Sequence, residues 1–326
     1  MIEFVLALVA SILLIHKAGD LFVDSACRIA RTLGVSQAMI ALTLIAFATS
    51  APEFFTAILA SGLGHVGISY GNVVGSNIIN IALILALAAV FGMAQIRRGG
   101  VGEGLIMLAV GGALVVMSFN SVIGPIEGLL LLAIFALFLR FILKREAMRR
   151  KNLRNFIPKK RGKLPKLFLL FVVGTAGILV GSWLLVFGGA GIAQAALVAA
   201  GLTPLEAEAA VGFTIIAIGT SLPELATIVI SIRKKLPDIS VGTIMGSNIF
   251  NTALIIGSAA LVGTARGFPL QVDAQALWFS NPMMLLSMVL LVWFMCGQKR
   301  LTKRQGAILL AFYVFYLAGL ALFYTI

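Results

Sequence analysis

Two near-identical motifs in this chain end in a proline followed by a glutamate. Residues 43–53 read TLIAFATSAPE and residues 214–224 read TIIAIGTSLPE, so seven of eleven positions are identical. In each copy a threonine, a serine and the glutamate fall at positions i, i+1 and i+4, which is about one helical turn. A proline inside a helix removes one backbone donor and releases carbonyls of the preceding turn. Each motif therefore predicts a place where a carboxylate, two hydroxyls and free carbonyls lie together.

A second duplicated motif follows each copy of the first. Residues 74–83 read VGSNIINIAL and residues 245–254 read MGSNIFNTAL, identical at seven of ten positions. The serine and the second asparagine of each copy are four residues apart and share one helix face. Both pairs of motifs keep one offset of 171 residues without a gap. This indicates an internal duplication, and the duplicated part carries the polar side chains.

All of the side chains that these motifs gather offer oxygen. Neither His16 nor His65 belongs to a motif, and the two cysteines, Cys27 and Cys296, are far apart in sequence. Carboxylate, hydroxyl, amide and carbonyl oxygens suit hard cations such as Na⁺, Ca²⁺ and Mg²⁺, and do not suit zinc or copper. Isolated Thr or Ser residues would be interpreted as helix-packing groups, whereas two matched glutamates beside prolines favour a cation site. The candidate ligands are Glu53, Glu224, Asn80, Asn251, Thr49, Ser50, Thr220, Ser221, Ser76 and Ser247, with released carbonyls around Ala46–Ala48 and Ala217–Gly219.

The composition indicates what kind of elements must hold these groups. The chain has 326 residues, of which 60% are hydrophobic and 11% are charged, and its mean hydropathy is +1.08. So few charges cannot coat a soluble globule of this size. Apolar runs of roughly 20 residues recur along the chain, each long enough to cross a ~30 Å hydrocarbon core. The sequence predicts an all-α polytopic membrane protein in a lipid bilayer.

Glycine, proline and charged clusters divide the chain into about ten predicted transmembrane helices. The predicted spans are approximately 3–27, 36–62, 67–92, 101–119, 122–143, 166–199, 207–232, 238–263, 277–297 and 304–325.

The basic residues predict the orientation of these spans. Of the 25 Lys and Arg residues, 23 fall in the loops after odd-numbered spans, twelve of them between Arg140 and Lys166. Cytoplasmic loops carry such an excess of positive charge, so both termini are predicted to be extracytoplasmic. The net charge of +13 is explained by these loops and does not indicate nucleic-acid binding.

Each predicted half contains an odd number of spans. The second half must therefore enter the membrane upside down relative to the first, and the duplicated motifs face each other near the midplane. Two inverted five-helix repeats of this kind are typical of secondary transporters. The predicted units are a first half at 1–143 with its duplicated segment at about 36–92, a basic cytoplasmic loop at 144–165, and an inverted second half at 166–326 with its duplicated segment at about 207–263.

At these residues the sequence resembles the sodium/calcium exchangers of the cation/Ca²⁺ exchanger superfamily, whose hallmark is two α-repeats. ATSAPE with GSNIIN is similar to the first α-repeat, and GTSLPE with GSNIFN is similar to the second. The resemblance implies that Glu53 and Glu224 bind Ca²⁺ and are shared with Na⁺. The other Na⁺ ligands that it implies are Thr49, Ser50, Ser76, Thr220, Ser221 and Ser247, with the carbonyls of Ala46 and Ala217.

Some positions depart from the family pattern. Ala48 stands where the family usually has Gly, and Ala51 stands where it usually has Leu. Many prokaryotic members carry Asp at the position of Asn251, so this chain keeps only two carboxylates in the motifs. Because the potassium-dependent branch relies on an acid in the second repeat, the resemblance implies K⁺-independent transport.

The resemblance implies an antiporter that exchanges Na⁺ for Ca²⁺ by alternating access, with spans 1 and 6 sliding across a core of spans 2, 3, 7 and 8. One Ca²⁺ would neutralise the two carboxylates, whereas three Na⁺ would give the site a net charge of about +1. This difference predicts electrogenic transport. Two alternatives stay open: an H⁺-coupled antiporter of Ca²⁺ or another divalent cation, and a cation channel, against which inverted halves with broken helices weigh. We expect no enzymatic activity, and no cofactor apart from the transported ions. The predicted location is the cell (inner) membrane; the sequence does not set the oligomeric state, and a monomer is compatible with it.

Overall fold

The computed structural model of the chain is a helical bundle with a short two-stranded sheet at one end. It describes residues 2–32, 49–92, 94–96, 100–151, 164–198, 201–222, 224–225, 238–298 and 300–325. The elements in chain order are α1 (Ile2–Thr32), α2 (Ala51–Leu63), α3 (Val66–Ile79, a π-helical segment Asn80–Leu85, and Ala86–Val90), α4 (Gly100–Met117), β1 (Val122–Ile123), α5 (Pro125–Lys151), α6 (Leu164–Ile192 and a π-helical segment Ala193–Val198), α7 (Pro204–Val211, a π-helical segment Gly212–Ile216, and Ala217–Thr220), α8 (Asp238–Ile249, a π-helical segment Phe250–Ile255, and Ile256–Ala265), β2 (Leu270–Gln271), α9 (a π-helical segment Ala276–Ser280, and Asn281–Met295) and α10 (Lys303–Thr325).

Eight of the described helices are long and apolar enough to cross a membrane. Helix α2 has 13 residues, and the predicted spans 36–62 and 207–232 lie partly outside the described residues. The all-α polytopic class is therefore confirmed, while the number of ten spans stays a prediction.

Several helix ends differ from the predicted spans, among them the end of α1, which lies at Thr32 instead of 27. Helix α5 continues to Lys151 instead of ending at 143, because the residues that follow the apolar run are mainly good helix formers such as Lys, Arg, Glu, Ala and Met. Helix α7 begins at Pro204, three residues before the predicted 207, because Thr203 and Glu206 form a reciprocal capping box. The division of the chain into two halves and a basic loop stays a prediction.

Helices α3 and α8, which carry the second duplicated motif, lie at the centre of the bundle. In the most apolar 18-residue stretch of each of these helices, 83% of the residues are buried, compared with 33% in α1, 22% in α5 and 28% in α10. The outer helices expose large apolar side chains as expected for surfaces that face lipid tails. The polar motifs are thus placed where protein surrounds them on every side.

The contacts of α3 with α7 show that the two copies run in opposite directions. A Cβ at Gly67 would meet the carbonyl oxygen of Leu205 at 2.6 Å, and one at Gly75 would meet that of Phe213 at 2.8 Å, so the two helices advance in parallel. Helices α2 and α3 form a tight hairpin through Gly64, whose φ of 89° needs glycine. Because α3 is antiparallel to α2 and parallel to α7, helices α2 and α7 run in opposite directions. The duplicated helices α3 and α8 are inverted as well, since Asn77 bonds to Thr252 and Asn80 bonds to Asn248.

Short backbone pairings tie the loops together at each end of the bundle. At one end β1 pairs antiparallel with β2, Ile123 opposite Leu270. At the other end Gln95 pairs with Arg300. These four loops lie at the ends that an alternation of the chain predicts, and which end faces the cytoplasm stays a prediction.

Helices α1 and α6 pack along each other as an antiparallel pair. A Cβ at Gly174 would lie 2.8 Å from the backbone nitrogen of Phe22, and one at Gly188 would lie 2.8 Å from the carbonyl oxygen of Phe4. Small residues on α6 therefore allow a close backbone approach. This pair forms one side of the bundle.

Candidate cation-binding site

Both copies of the first motif interrupt their helices at the serine. Ser50 has φ −84° and ψ 8°, and α2 begins directly after it with Pro52 in its first turn. Ser221 has φ −82° and ψ 3° and follows the last turn of α7. In a first helical turn the missing N–H of proline is not needed, so Pro52 starts a helix instead of bending one. The duplicated sequence thus folds into duplicated helix breaks.

The carbonyl of Ala217 is not released in the way the sequence analysis expected. It accepts a hydrogen bond from the backbone N–H of Ser221 at 3.2 Å, and longer ones from the hydroxyls of Thr220 at 3.4 Å and Ser76 at 3.5 Å. The reason is that the break falls at Ser221, whose N–H still reaches the carbonyl four residues back. The role of Ala217 as an ion ligand stays a prediction, and its counterpart Ala46 lies outside the described residues.

The two breaks are joined by a pair of crossed hydrogen bonds between the copies. The hydroxyl of Ser50 donates to Oε1 of Glu224 at 3.1 Å, and the hydroxyl of Ser221 donates to Oε1 of Glu53 at 3.1 Å. Each serine therefore serves the glutamate of the other half, in a reciprocal arrangement expected of a pseudo-two-fold axis. The structure brings together four of the residues that the sequence analysis selected.

Each glutamate has one carboxylate oxygen left over. Glu53 and Glu224 are both completely buried, and their Oε2 atoms have no hydrogen-bond partner among the described residues. A buried carboxylate with an unpaired oxygen is costly unless a cation compensates it. Two such oxygens on facing helix breaks are suited to bind a divalent cation or more than one monovalent cation.

The other predicted hydroxyl groups lie close to the two glutamates. Ser247 donates to Oε1 of Glu224 at 3.4 Å, and the hydroxyl oxygens of Ser76 and Thr220 are 3.5 Å apart. Thr49 is also completely buried. The hydroxyl groups predicted from the sequence are thus buried beside the two carboxylates, where they offer neutral oxygen atoms; their role as ligands stays a prediction.

The two predicted amide ligands are not equivalent in the structure. Asn80 donates through Nδ2 to Oδ1 of Asn248 at 3.0 Å, and its own Oδ1 is unpaired. Asn251 is buried with neither its Oδ1 nor its Nδ2 paired among the described residues. The duplication in sequence therefore leaves the second amide with more unused hydrogen-bonding capacity than the first.

Some buried polar residues beside the site were not selected from the sequence. Asn77 donates to the hydroxyl of Thr252 at 2.8 Å, and Asn248 donates to the carbonyl of Asn77 at 3.1 Å. Asn77 and Asn248 occupy the same place in the two GSN motifs, so the duplication could have identified them. Asn72 lies outside both motifs, and no pattern in the sequence marks it.

The fold and the site together define a class of protein. Inverted repeats with broken helices that meet around buried carboxylates are the arrangement of secondary transporters. The candidate ligand atoms are all oxygen, and the described residues contain no group of three His, Cys, Asp or Glu side chains that could hold a metal ion. The structure is that of a membrane transporter for hard cations.

Comparison with known proteins gives the family. The family model described as sodium/calcium exchanger protein matches residues 3–144 and 166–322. The sodium/calcium exchanger MaX1 of Methanosarcina acetivorans is 30% identical over 98% of both chains, and the inner membrane protein YrbG of Escherichia coli is 33% identical over 81% of both chains. The solved structure of the sodium-calcium exchanger NCX_Mj soaked with Na⁺ and Sr²⁺ matches with a TM-score of 0.66 and 29% identity, covering 97% of this chain and 98% of that one.

This chain belongs to the sodium/calcium exchanger family. It is a multi-pass membrane transporter of the cation/Ca²⁺ exchange type and not an enzyme. The family resemblance found in the two α-repeats is confirmed.

Proposed function

We propose that this chain exchanges Na⁺ for Ca²⁺ across the membrane by alternating access. The observation that supports this function is the crossed pair of glutamates, each buried, each bonded to a serine of the other copy, and each with a free oxygen. Ca²⁺ prefers such carboxylate oxygens, and Na⁺ accepts a mixture of carboxylate, hydroxyl and carbonyl oxygens. The relatives MaX1 and NCX_Mj carry the name of sodium/calcium exchangers, which agrees with this proposal.

Exchange follows from the sharing of one set of oxygens by both ions. In the proposed site Glu53 and Glu224 bind Ca²⁺, and the same carboxylates together with hydroxyl, amide and carbonyl oxygens bind Na⁺. Because the two loads need the same atoms, they exclude each other, which couples the outward movement of one to the inward movement of the other. The proposed ligands are Glu53, Glu224, Asn80, Asn251, Thr49, Ser50, Thr220, Ser221, Ser76, Ser247, Ala46 and Ala217.

Charge and the nature of residue 251 support two finer features of the proposal. Two carboxylates that are neutralised by one Ca²⁺ carry an excess of positive charge with three Na⁺, so the cycle is electrogenic and responds to voltage at about 2.3 kcal/mol per charge per 100 mV. Asn251 supplies no third carboxylate to the site, and transport is accordingly independent of K⁺.

The proposed location is the cell (inner) membrane, where the relative YrbG is named as an inner membrane protein. The proposed orientation places both termini outside and the basic segment at 144–165 in the cytoplasm, between halves at 1–143 and 166–326. Labelling of single cysteines in a cysteine-free background tests this orientation. A cysteine at position 155 should react only from the cytoplasm and one at either terminus only from outside; a terminus labelled from the cytoplasm would contradict the inverted orientation.

Calcium flux in sealed proteoliposomes tests the coupling ion. Ca²⁺ uptake is expected to follow an outward Na⁺ gradient at constant pH, to increase when the vesicle interior is made positive, because three Na⁺ leave for each Ca²⁺ that enters, and to be unchanged when K⁺ is replaced by choline. Empty liposomes and the double variant Glu53→Gln/Glu224→Gln are the controls. Uptake driven by an outward proton gradient and insensitive to Na⁺ would replace this proposal with the H⁺-coupled antiporter, and flux without any counter-gradient would indicate a channel.

A further inference from the structure

Asn72 on α3 connects the two helix breaks through a single side chain. It is completely buried and lies one turn before Ser76. Its Oδ1 accepts a hydrogen bond from the hydroxyl of Thr220 at 2.9 Å, and its Nδ2 donates to the backbone carbonyl of Glu53 at 3.3 Å. Both contacts leave its own helix, one toward α7 and one toward α2.

The two partners fix which way the amide points. The carbonyl of Glu53 can only accept a hydrogen bond, so the NH₂ group of Asn72 must face it. The carbonyl oxygen of the amide then faces Thr220, and a carbonyl oxygen can only accept. The hydroxyl of Thr220 must therefore be the donor in this bond. The backbone carbonyl of Glu53, in the first copy, thus sets through Asn72 the direction in which the Thr220 hydrogen points.

This direction matters for cation binding. A hydroxyl group has one hydrogen and two lone pairs, and only the lone pairs can coordinate a cation. Thr220 could also donate to the carbonyls of Ile216 at 3.1 Å and Ala217 at 3.4 Å or to the hydroxyl of Ser76 at 3.5 Å, but the bond to Asn72 is the shortest of the four. With its hydrogen held by Asn72, Thr220 keeps its lone pairs available beside Glu53 and Ser76.

The second copy has no equivalent of this side chain. The residue at the same offset of 171 from Asn72 is Thr243, which is buried. A threonine has one short hydroxyl group and cannot span two partners on different helices as an amide can. The half-sites therefore match in their glutamates and serines and differ in how one threonine is held.

We propose that Asn72 is a positioning residue that orients the Thr220 hydroxyl as a Na⁺ ligand, so that its loss weakens Na⁺ binding and leaves Ca²⁺ binding nearly unchanged. This inference rests on the proposed exchange of Na⁺ for Ca²⁺. Ca²⁺ is bound mainly by the carboxylates, and Asn72 contacts the backbone carbonyl of Glu53 and not its carboxylate. Na⁺ is bound with more help from hydroxyls, because several monovalent ions need more oxygen atoms than the two glutamates supply.

The test compares Asn72→Leu, which has nearly the same shape and no polar atoms, with wild type in proteoliposomes. The apparent Na⁺ constant for Na⁺-driven Ca²⁺ flux is expected to rise on the order of fivefold, as for the loss of a hydrogen bond worth about 1 kcal/mol. The apparent Ca²⁺ constant is expected to stay within about twofold of the wild-type value, because no hydrogen bond to a carboxylate is lost. Thr243→Val is the matched control at the same place in the second copy, and its Na⁺ constant should equal that of wild type.

A double-mutant cycle distinguishes positioning from a general structural role. Thr220→Val should raise the Na⁺ constant, and Asn72→Leu should have little further effect on the Na⁺ constant in that background, because the part of its role that concerns Na⁺ acts through Thr220. Additive effects, or an equal loss of Na⁺ and Ca²⁺ affinity, would overturn the inference. If Asn72→Leu does not yield folded protein, Asn72→Ser carries the same expectations, since serine also fails to bridge both partners.

The outcome for wild type separates this inference from the function on which it rests. If wild type shows Na⁺-driven flux and the Asn72 variants keep a normal Na⁺ constant, only the positioning role fails. If wild type shows no dependence on Na⁺, the proposed function fails and takes the positioning role with it.

Discussion

Replacing either glutamate of the crossed pair with glutamine should separate stability from ion binding. In wild type each glutamate accepts a hydrogen bond of 3.1 Å from the serine of the other copy. In Glu53→Gln or Glu224→Gln the amide oxygen can still accept this bond. The change removes a negative charge from a fully buried position and places an NH₂ group where the carboxylate oxygen had no partner. The fold should therefore persist.

Two opposing terms set the stability of the ion-free protein. A buried carboxylate near the bilayer centre costs about 2.5–3.5 kcal/mol on insertion scales, and the variant no longer carries this cost. The new NH₂ group costs about 1–3 kcal/mol if it stays unpaired. The unfolding temperature without ions should therefore be equal to that of wild type or somewhat higher.

Calcium should reverse the order of stability. At a Ca²⁺ concentration of 100 times Kd, wild type gains about 2.7 kcal/mol, and a variant that has lost half of the carboxylates gains almost none. The assay is thermal unfolding of purified protein in detergent, with a chelator and then with Ca²⁺, alongside Ca²⁺ flux. Glu103→Gln is the matched control, because Glu103 is buried in α4 outside the site and its replacement should leave the Ca²⁺-dependent increase intact.

Two results would refute this reasoning. A variant that keeps the full Ca²⁺-dependent increase in unfolding temperature would show that its carboxylate does not bind the ion. A large fall in the unfolding temperature of the ion-free variant would show that the charge is required by the fold, so that the desolvation argument is wrong.

Other expected outcomes concern the hydroxyls, the helix contact and a loop carboxylate. Thr49→Val and Ser247→Ala should lower apparent Na⁺ affinity more than Ca²⁺ affinity in the flux assay; equal losses would contradict their assignment as Na⁺ ligands. Gly71→Ala places a Cβ 2.8 Å from the facing backbone of α7 and should destabilise the protein by about 1–3 kcal/mol, whereas Gly112→Ala, which has open space, should be nearly neutral in thermal unfolding. Burial raises the pKa of Asp273 to about 6, so the folded state binds this proton more tightly than the unfolded state, and stability should fall as pH rises from about 4 to 6, by on the order of 3 kcal/mol. Asp273→Asn should remove this part of the pH dependence, and an unchanged difference between variant and wild type across that range would show that Asp273 titrates normally.

The duplication made much of this site predictable. An offset that is constant in two motifs, together with an odd number of spans, requires that Glu53 and Glu224 face each other from inverted halves. The structure shows their helix breaks joined through Ser50 and Ser221. Which serine bonds to which glutamate did not follow from the sequence, because the pattern specifies the helix face of each residue and not the distance between two helices.

The residues that sequence reasoning missed share a physical cause. Asn72 owes its role to helices that approach from other parts of the chain, and its own neighbours in sequence carry no trace of them. The end of α5 was missed for the opposite reason. The apolar run ends near 143, but the residues that follow it are good helix formers, and the helix continues to Lys151.

The crossed bonds between Ser50 and Glu224 and between Ser221 and Glu53 mean that neither half of this chain contains the complete candidate site. One half alone would place its acid without the hydroxyl that holds it. A polypeptide of half this length could assemble the same centre only as two copies inserted in opposite directions, that is, as a dual-topology dimer. Fusion of the halves fixes their opposite orientations in one chain. It also allows each copy to change independently: Asn72 in the first copy corresponds to Thr243 in the second.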